Sequence, residues 1–150
     1  MFYSDAATFS SLDKSGIGVV GRVDGGQFVV ACSEPIAGSL EPEMAEAMAF
    51  RRAVLLAHDE QVSDVIFASD CLSLVQRINS PMRDRSSIGV VVADIKSLSE
   101  GFSSVSFKHV RWHLNVPAHV LAKSCMNSTS LCVFHSVPDC IRQTLCNVVH

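Results

Sequence analysis

Asp70 is one candidate for a catalytic or metal-binding residue. It follows the apolar run at residues 65–68 after a single serine. Such a run predicts a buried, parallel strand, and ligands in open α/β sheets collect where strands end. An Asp at this point is also a common cap of a following helix. On its own, helix capping is the better explanation of Asp70.

Glu46 is the second candidate because it shares a helix face with apolar residues. Spacings of three and four predict that this face packs on a sheet, and its other members are Ala49, Phe50, Ala53 and Ala57. A carboxylate in that position costs several kcal/mol unless it is paired or binds a metal ion.

Asp5 completes the set of candidate acids. It follows the short apolar start of the chain, and we expect it to close the first strand. A single Asp there would be interpreted as a turn residue. None of the three acids is specific alone. Together they place a carboxylate on the first strand, on the first long helix and after the next strand.

The rest of the sequence predicts the elements that must position these acids. Two β-rich runs, 16–20 and 27–31, flank Asp24-Gly25-Gly26, which predicts a hairpin turn. Further strands are expected over 65–68 and 105–110, and helices over 40–58, 71–78, 88–98 and 115–126. Strands followed by alternating helices and strands predict one α/β domain with a mixed sheet.

The segment after this pattern, residues 127–150, is nearly uncharged. We assign residues 1–126 to the domain and 127–150 to a C-terminal appendage. Its apolar residues are too numerous for a solvated linker, so we expect it to pack on the domain. The spacing of four between Ile141 and Leu145 predicts a short helix after Pro138.

Composition narrows the class of protein. The 150 residues carry a formal net charge of −3, which argues against nucleic-acid binding by bulk positive charge, because phosphate neutralisation needs clustered Lys and Arg. The apolar runs are too short to span a membrane, and no secretory signal is recognisable. We expect an intracellular monomer of the cytoplasm or nucleus, without a membrane partner, whose six cysteines are reduced.

The order of the motifs resembles a type-1 ribonuclease H domain, and most of all the plant ribonuclease-H-like domains related to retroelement reverse transcriptases. The resemblance covers about residues 2 to 126 and implies an α/β, ribonuclease H-like fold with a five-stranded mixed sheet and helices on both faces. The matching stretches are Asp5-Ala6-Ala7, Gly16-x-Gly18, Asp24-Gly25-Gly26, Ala45-Glu46-Ala47-Met48-Ala49, Ala68-Ser69-Asp70, His109-Val110 and Asn115-x-x-Ala118-His119-x-Leu121-Ala122-Lys123.

The resemblance also implies an activity, which is endonucleolytic hydrolysis of the RNA strand in RNA–DNA hybrids at a two-metal site holding Mg²⁺ or Mn²⁺. Asp5, Glu46 and Asp70 match three of the four family acids and would be the metal ligands. Carboxylate oxygens are hard ligands that suit Mg²⁺. Two such ions can generate the attacking hydroxide and stabilise the leaving oxygen.

The fourth family acid is replaced. Where the pattern reads Asn-x-x-x-Asp, Asn115 is followed by His119, and imidazole suits Mn²⁺ better than Mg²⁺. The replacement weakens the second metal. His109 matches the family histidine, for which the resemblance implies a part in proton transfer or product release. The alternative is a strand-end histidine without a role, and His113 fits the position less well.

The nucleic-acid contacts are assigned to Ala6, Gly16, Asn115, Lys108 and Arg111. The backbone near the first two would approach the 2′-hydroxyls that distinguish RNA from DNA, whereas the two cations would contact phosphates. Scattered charges also commonly just solvate a surface. Trp112, beside Arg111, either stacks on a base or covers the sheet edge.

Two functions stay open from the sequence. The three retained acids favour an active RNA–DNA hybrid endonuclease. His119 and the acidic balance favour a catalytically silent module that binds nucleic acid or a protein partner. A thiol-dependent redox or metal protein has only the cysteine count in its favour.

Overall fold

Three antiparallel strands begin the chain: β1 (Phe2–Phe9), β2 (Lys14–Val23) and β3 (Gln27–Ala37). The computed structural model describes residues 1–23 and 26–147. Asp24 and Gly25 of the predicted hairpin turn therefore lie outside the described residues. Gly26, the last residue of that turn, has the positive φ of 82° that tight turns often require.

β1 lies in the middle of a mixed sheet. β4 (Asp64–Ser69) runs parallel to β1, and β5 (Ser104–His109) runs parallel to β4, in the order β5-β4-β1-β2-β3-β6. β4 pairs with β1 at two positions, Phe2↔Phe67 and Tyr3↔Ala68. β1 continues for six residues past this contact, paired with β2 on its other side.

The expectation that Asp5 closes the first strand is wrong. Asp5 pairs with Gly18 of β2, and the pairing runs on to Phe9↔Lys14. The strand continues to Phe9 because β2 supplies a hydrogen-bonding partner along this whole length. The sequence did not indicate this, since Ala6-Ala7-Thr8 shows no alternation of apolar and polar residues.

Helices cover both faces of the sheet, which confirms the predicted α/β fold class. The first face packs against α1 (Pro42–Asp59), α2 (Leu72–Asn79) and α3 (Gly89–Ser99). Its core includes Phe50, Phe67, Leu74 and Ile95, each fully buried. The opposite face packs against α4 (Val116–Ser124), with Leu121 in the core beside Tyr3 and Val20. No helix in the described part of the chain is long and apolar enough to cross a membrane.

The sheet has six strands, not the five that were expected. The additional strand is β6 (Cys132–Phe134), which pairs antiparallel with Ala31–Ser33 of β3. A 3₁₀ turn and α5 (Arg142–Asn147) follow, and they bury Ile141 and most of Leu145 on the α4 face. Lys14 holds the start of this segment through hydrogen bonds from Nζ to the carbonyls of Met126 and Ser128.

Candidate metal centre and active site

Three carboxylates from three separate elements converge beside the end of β4. Asp5, Glu46 and Asp70 each offer an oxygen, and these oxygens all lie within 4.8 Å of one another. Asp5 comes from β1, Glu46 from the second turn of α1, and Asp70 from the residue after β4. The three carboxylates meet beside the part of β1 that follows Tyr3, where β1 is no longer paired with β4.

Asp5 is 5% exposed. Its contact with α4 depends on a neighbouring glycine on β2. Gly18 lies directly opposite Asp5 on β2. A Cβ at Gly18 would lie 2.1 Å from the carbonyl oxygen of Ala118, so the absence of a side chain lets α4 lie directly on β2. His119, the next residue of α4, places Nδ1 2.7 Å from Asp5 Oδ2.

Glu46 lies on the buried side of α1, as its spacing with Ala49, Phe50 and Ala53 predicts. Its Oε1 accepts a hydrogen bond from the Ala6 amide at 3.2 Å. Its Oε2 is buried and has no hydrogen-bond partner among the residues that the structure describes. Burial, together with the neighbouring Asp5 and Asp70 carboxylates, raises the pKa of Glu46 from 4.5 to about 10.

Asp70 does not act as the cap of α2. The N-cap residue of that helix is Cys71, which makes no capping hydrogen bond through its side chain. Burial raises the pKa of Asp70, and the Asp5 carboxylate raises it further, whereas the nearby Asn115 amide and His119 act in the opposite direction. Asp70 therefore faces the other two carboxylates, and the helix-capping explanation fails.

The composition of the cluster suits a hard divalent cation. Three carboxylates that lie this close together repel one another unless a cation or a proton lies between them. Glu46 Oε2, which is buried without a hydrogen-bond partner among the described residues, is left available as a ligand oxygen. Mg²⁺ and Mn²⁺ prefer carboxylate oxygens of this kind. The residues present therefore fit the cation that the sequence predicts.

Asn115, which was expected to contact nucleic acid, is buried within the fold. The residue is 1% exposed, and its Nδ2 donates to the Ser4 carbonyl at 2.8 Å. This bond joins the start of α4 to the residue before Asp5. Asn115 is therefore a positioning residue beneath the cluster.

Two further predicted nucleic-acid contacts have structural explanations instead. The backbone amide of Ala6 donates to Glu46 Oε1, so it is not available to an RNA 2′-hydroxyl. Gly16 is buried, and a Cβ there would lie 2.3 Å from the Ala122 carbonyl oxygen. Gly16 therefore serves the close packing of α4 on β2, which accounts for a glycine at this position without a ligand.

The other predicted residues lie at the surface of the β5 side. His109 pairs with Ser69, so it ends β5 level with the last residue of β4. His109, Lys108 and Arg111 are exposed. Because Ser69 precedes Asp70, β5 ends near the carboxylates, but none of these three side chains is part of the carboxylate cluster.

Sequence reasoning missed the network that joins α1 to α2. Glu43 in the first turn of α1 contacts Ser73 and Arg77 of α2, with Arg77 Nε 3.3 Å from its Oε2. Arg77 also donates from Nη1 to Asp84 at 2.8 Å. These contacts fix the helix that follows Asp70 against the helix that carries Glu46. The spacing of four between Ser73 and Arg77 was the available signal.

Comparisons with known proteins bear on this fold. A model of the family described as Reverse transcriptase-like matches residues 3–125. The crystal structure of RNase H1 from the halophilic archaeon Halobacterium salinarum NRC-1 is 22% identical, with a TM-score of 0.77, over 85% of this chain and 97% of that chain. No curated protein matches the chain.

Two further solved structures contain nucleic acid. LC11-RNase H1 in complex with an RNA/DNA hybrid is 20% identical, with a TM-score of 0.69, over 82% of this chain and 93% of that chain. The foamy viral protease-reverse transcriptase in complex with an RNA/DNA hybrid is 18% identical, with a TM-score of 0.71, over 85% of this chain and 20% of that chain. At these identities the likeness establishes a shared fold.

Proposed function

Because the chain belongs to the Reverse transcriptase-like family and has the ribonuclease H fold, we propose that it binds RNA–DNA hybrids and hydrolyses their RNA strand. The observation that carries the proposal is the convergence of Asp5, Glu46 and Asp70. Two proteins of the same fold hold an RNA/DNA hybrid, which supports this substrate class. The motifs further suggest kinship with plant domains related to retroelement reverse transcriptases.

Asp5, Glu46 and Asp70 would hold Mg²⁺ or Mn²⁺. A divalent cation bound there would supply Lewis acidity to a scissile phosphate. The chain's own contribution is to hold the three carboxylates in place before substrate arrives. The Ala6 amide fixes Glu46 Oε1 and leaves Oε2 available, while Asn115 ties α4 to β1 beside Asp5.

His109 would take part in proton transfer or product release. It stands at the end of β5, level with Ser69, and its side chain is open to solvent. An imidazole at this position, open to solvent, can donate a proton to a departing oxygen. Lys108 and Arg111, exposed in the same stretch, would contact the phosphates of the duplex.

His119 would weaken the second metal. The site carries three carboxylates, and the imidazole that replaces the fourth is directed at Asp5 Oδ2. This contact also favours a second candidate function, since an Asp5 oxygen engaged by His119 is less available to a cation. The second candidate is a catalytically silent module of the same fold that binds nucleic acid or a protein partner.

Cleavage of a hybrid duplex with a labelled RNA strand separates the two candidates. We expect the full chain to cleave the RNA strand slowly with Mg²⁺ and faster with Mn²⁺. Asp70→Asn should abolish this cleavage, whereas Glu100→Gln, at an exposed position after α3, should leave it unchanged. Absence of cleavage by the unaltered chain with either ion, with hybrid binding retained, would establish the silent module.

A further inference from the structure

Trp112, the only tryptophan of the chain, lies on the surface three residues after the end of β5. Its side chain is 71% exposed. A tryptophan usually buries most of its large apolar surface, so packing within this domain does not account for the residue. Its one ring neighbour is the adjacent His113, at 6.3 Å between centroids and nearly perpendicular, among the described residues.

The backbone that carries Trp112 is tied to the cluster at both ends. On one side the Val110 amide donates to the Ser69 carbonyl at 3.0 Å, one residue before Asp70. On the other side the Asn115 amide donates to the Trp112 carbonyl at 2.9 Å, and the Asn115 side chain binds Ser4 beside Asp5. These bonds hold the backbone of the 3₁₀ turn Trp112–Leu114, which carries the indole, close to the residues that precede Asp70 and Asp5.

The segment of sequence that carries this turn is opposite in charge to the whole chain. Residues 101–138 contain Lys108, Arg111 and Lys123 and no Asp or Glu, whereas the complete chain has a net charge of −3. Lys108 and Arg111, which precede the turn, are exposed. An exposed aromatic ring beside cations is the combination that binds single-stranded nucleic acid, since the cations follow the backbone and the ring stacks on a base.

We propose that Trp112 stacks on an unpaired base, so that the preferred ligand of the site is a hybrid with a single-stranded extension. The bases within a duplex are already stacked on both sides, so an indole on a protein surface can reach only a base that has left the stack. Stacking of this kind tolerates any base. The preference is therefore for strand structure and not for sequence. This inference rests on the proposed function, because it places nucleic acid at the carboxylates.

The single tryptophan makes the contact directly measurable. Tryptophan emission is recorded while hybrid is added, either blunt or with a 5′ or 3′ single-stranded extension. Cleavage is prevented by omitting metal from the unaltered chain or by using Asp70→Asn with Mg²⁺. We expect strong quenching with an extended hybrid and weak quenching with the blunt one.

Two substitutions test whether the ring face matters. Trp112→Leu keeps an apolar side chain without a ring, and it should weaken binding of the extended hybrid by roughly 5- to 150-fold, with blunt hybrid unaffected. Trp112→Phe should retain most of the preference. In cleavage assays Trp112→Leu should raise KM for the extended hybrid and leave kcat unchanged.

The outcomes distinguish this inference from the proposed function. Cleavage of hybrids without tryptophan quenching, or an equal loss of both affinities in Trp112→Leu, would overturn the stacking contact and leave the ribonuclease proposal intact. Absence of both cleavage and binding in every form would overturn both proposals.

Discussion

Two carboxylates packed between the sheet and α1 differ in their hydrogen-bond partners. Glu34 of β3 receives two hydrogen bonds from Arg52 of α1, at 3.0 and 2.8 Å, and both side chains are about three-quarters buried. Glu46 of the same helix is left with a buried oxygen that has no partner in the described part of the chain. A guanidinium neutralises Glu34, whereas Glu46 has no such partner, which fits the proposal that a cation binds at Glu46.

The largest expected difference between the two carboxylates is in cleavage. Glu46→Gln should reduce hybrid cleavage by about 10²–10³-fold, because the site loses a charge that would bind the metal and stabilise the transition state. Glu34→Gln should retain cleavage close to that of the unaltered chain. Initial rates with Mg²⁺ and with Mn²⁺ measure both effects. Equal losses in the two variants would mean that the cluster has no special role.

The pH dependence of metal-free stability should come mainly from Glu46, with a contribution of the same sign from Asp70, whose pKa is also raised. The pKa of Glu46 is 4.5 in the unfolded chain and about 10 in the fold, so between these values the fold binds more protons than the unfolded chain. Stability is then full below pH 4.5 and is lost as the pH rises toward about 10, by up to about 1.4 kcal/mol per pH unit. Urea unfolding in a chelating buffer should show this slope.

Two controls belong to the same measurement. Saturating Mg²⁺ should flatten the slope, because a bound cation favours the ionised carboxylates. Glu46→Gln should reduce it without metal, and Glu34→Gln should preserve it. An unchanged slope in Glu46→Gln would assign the proton uptake to another group.

The two glutamine variants should also change metal-free stability in opposite directions at neutral pH. Glu46→Gln removes an acid whose ionisation is penalised, and we expect a gain of ~1–2 kcal/mol, or ~2–8 °C in Tm. Glu34→Gln leaves Arg52 partly buried without its charged partner, and we expect a loss of ~1 kcal/mol. Thermal unfolding in chelator tests the pair, and a loss in both variants would contradict the comparison.

The smallest expected effect is that of adding a fourth carboxylate. His119→Asp should increase Mg²⁺-dependent cleavage by about three- to tenfold, since a hard oxygen ligand replaces an imidazole, and should reduce the preference for Mn²⁺. The ratio of rates with the two ions is the measurement. Unchanged rates would mean that His119 only orients Asp5 and that three acids suffice.

Much of the fold could be predicted because the helices and most strands carry a regular apolar pattern. The structure places α1 within two residues of the interval predicted for it. β6 was missed because three residues are too few to show alternation. The strand count of the sheet therefore could not be read from periodicity.

The candidate site was predicted in part, for physical reasons that differ by residue. The side of α1 on which Glu46 lies follows from helical spacing. The sequence alone could not show whether Gly16 allows a ligand or a helix to approach the strand; in the structure it allows α4 to pack closely. It also could not show that Asn115 is buried against Ser4, because a contact between residues so distant along the chain depends on the tertiary fold.

The short strand β6 has a consequence for the solubility of shortened chains. It covers the part of β3 at Ala31–Ser33, within the stretch Phe28-Val29-Val30-Ala31-Cys32-Ser33, which has no charge and no proline. An uncovered strand of that composition pairs readily with copies of itself and aggregates. A chain ended at residue 126 would expose this edge, so light scattering should show self-association that the full chain avoids.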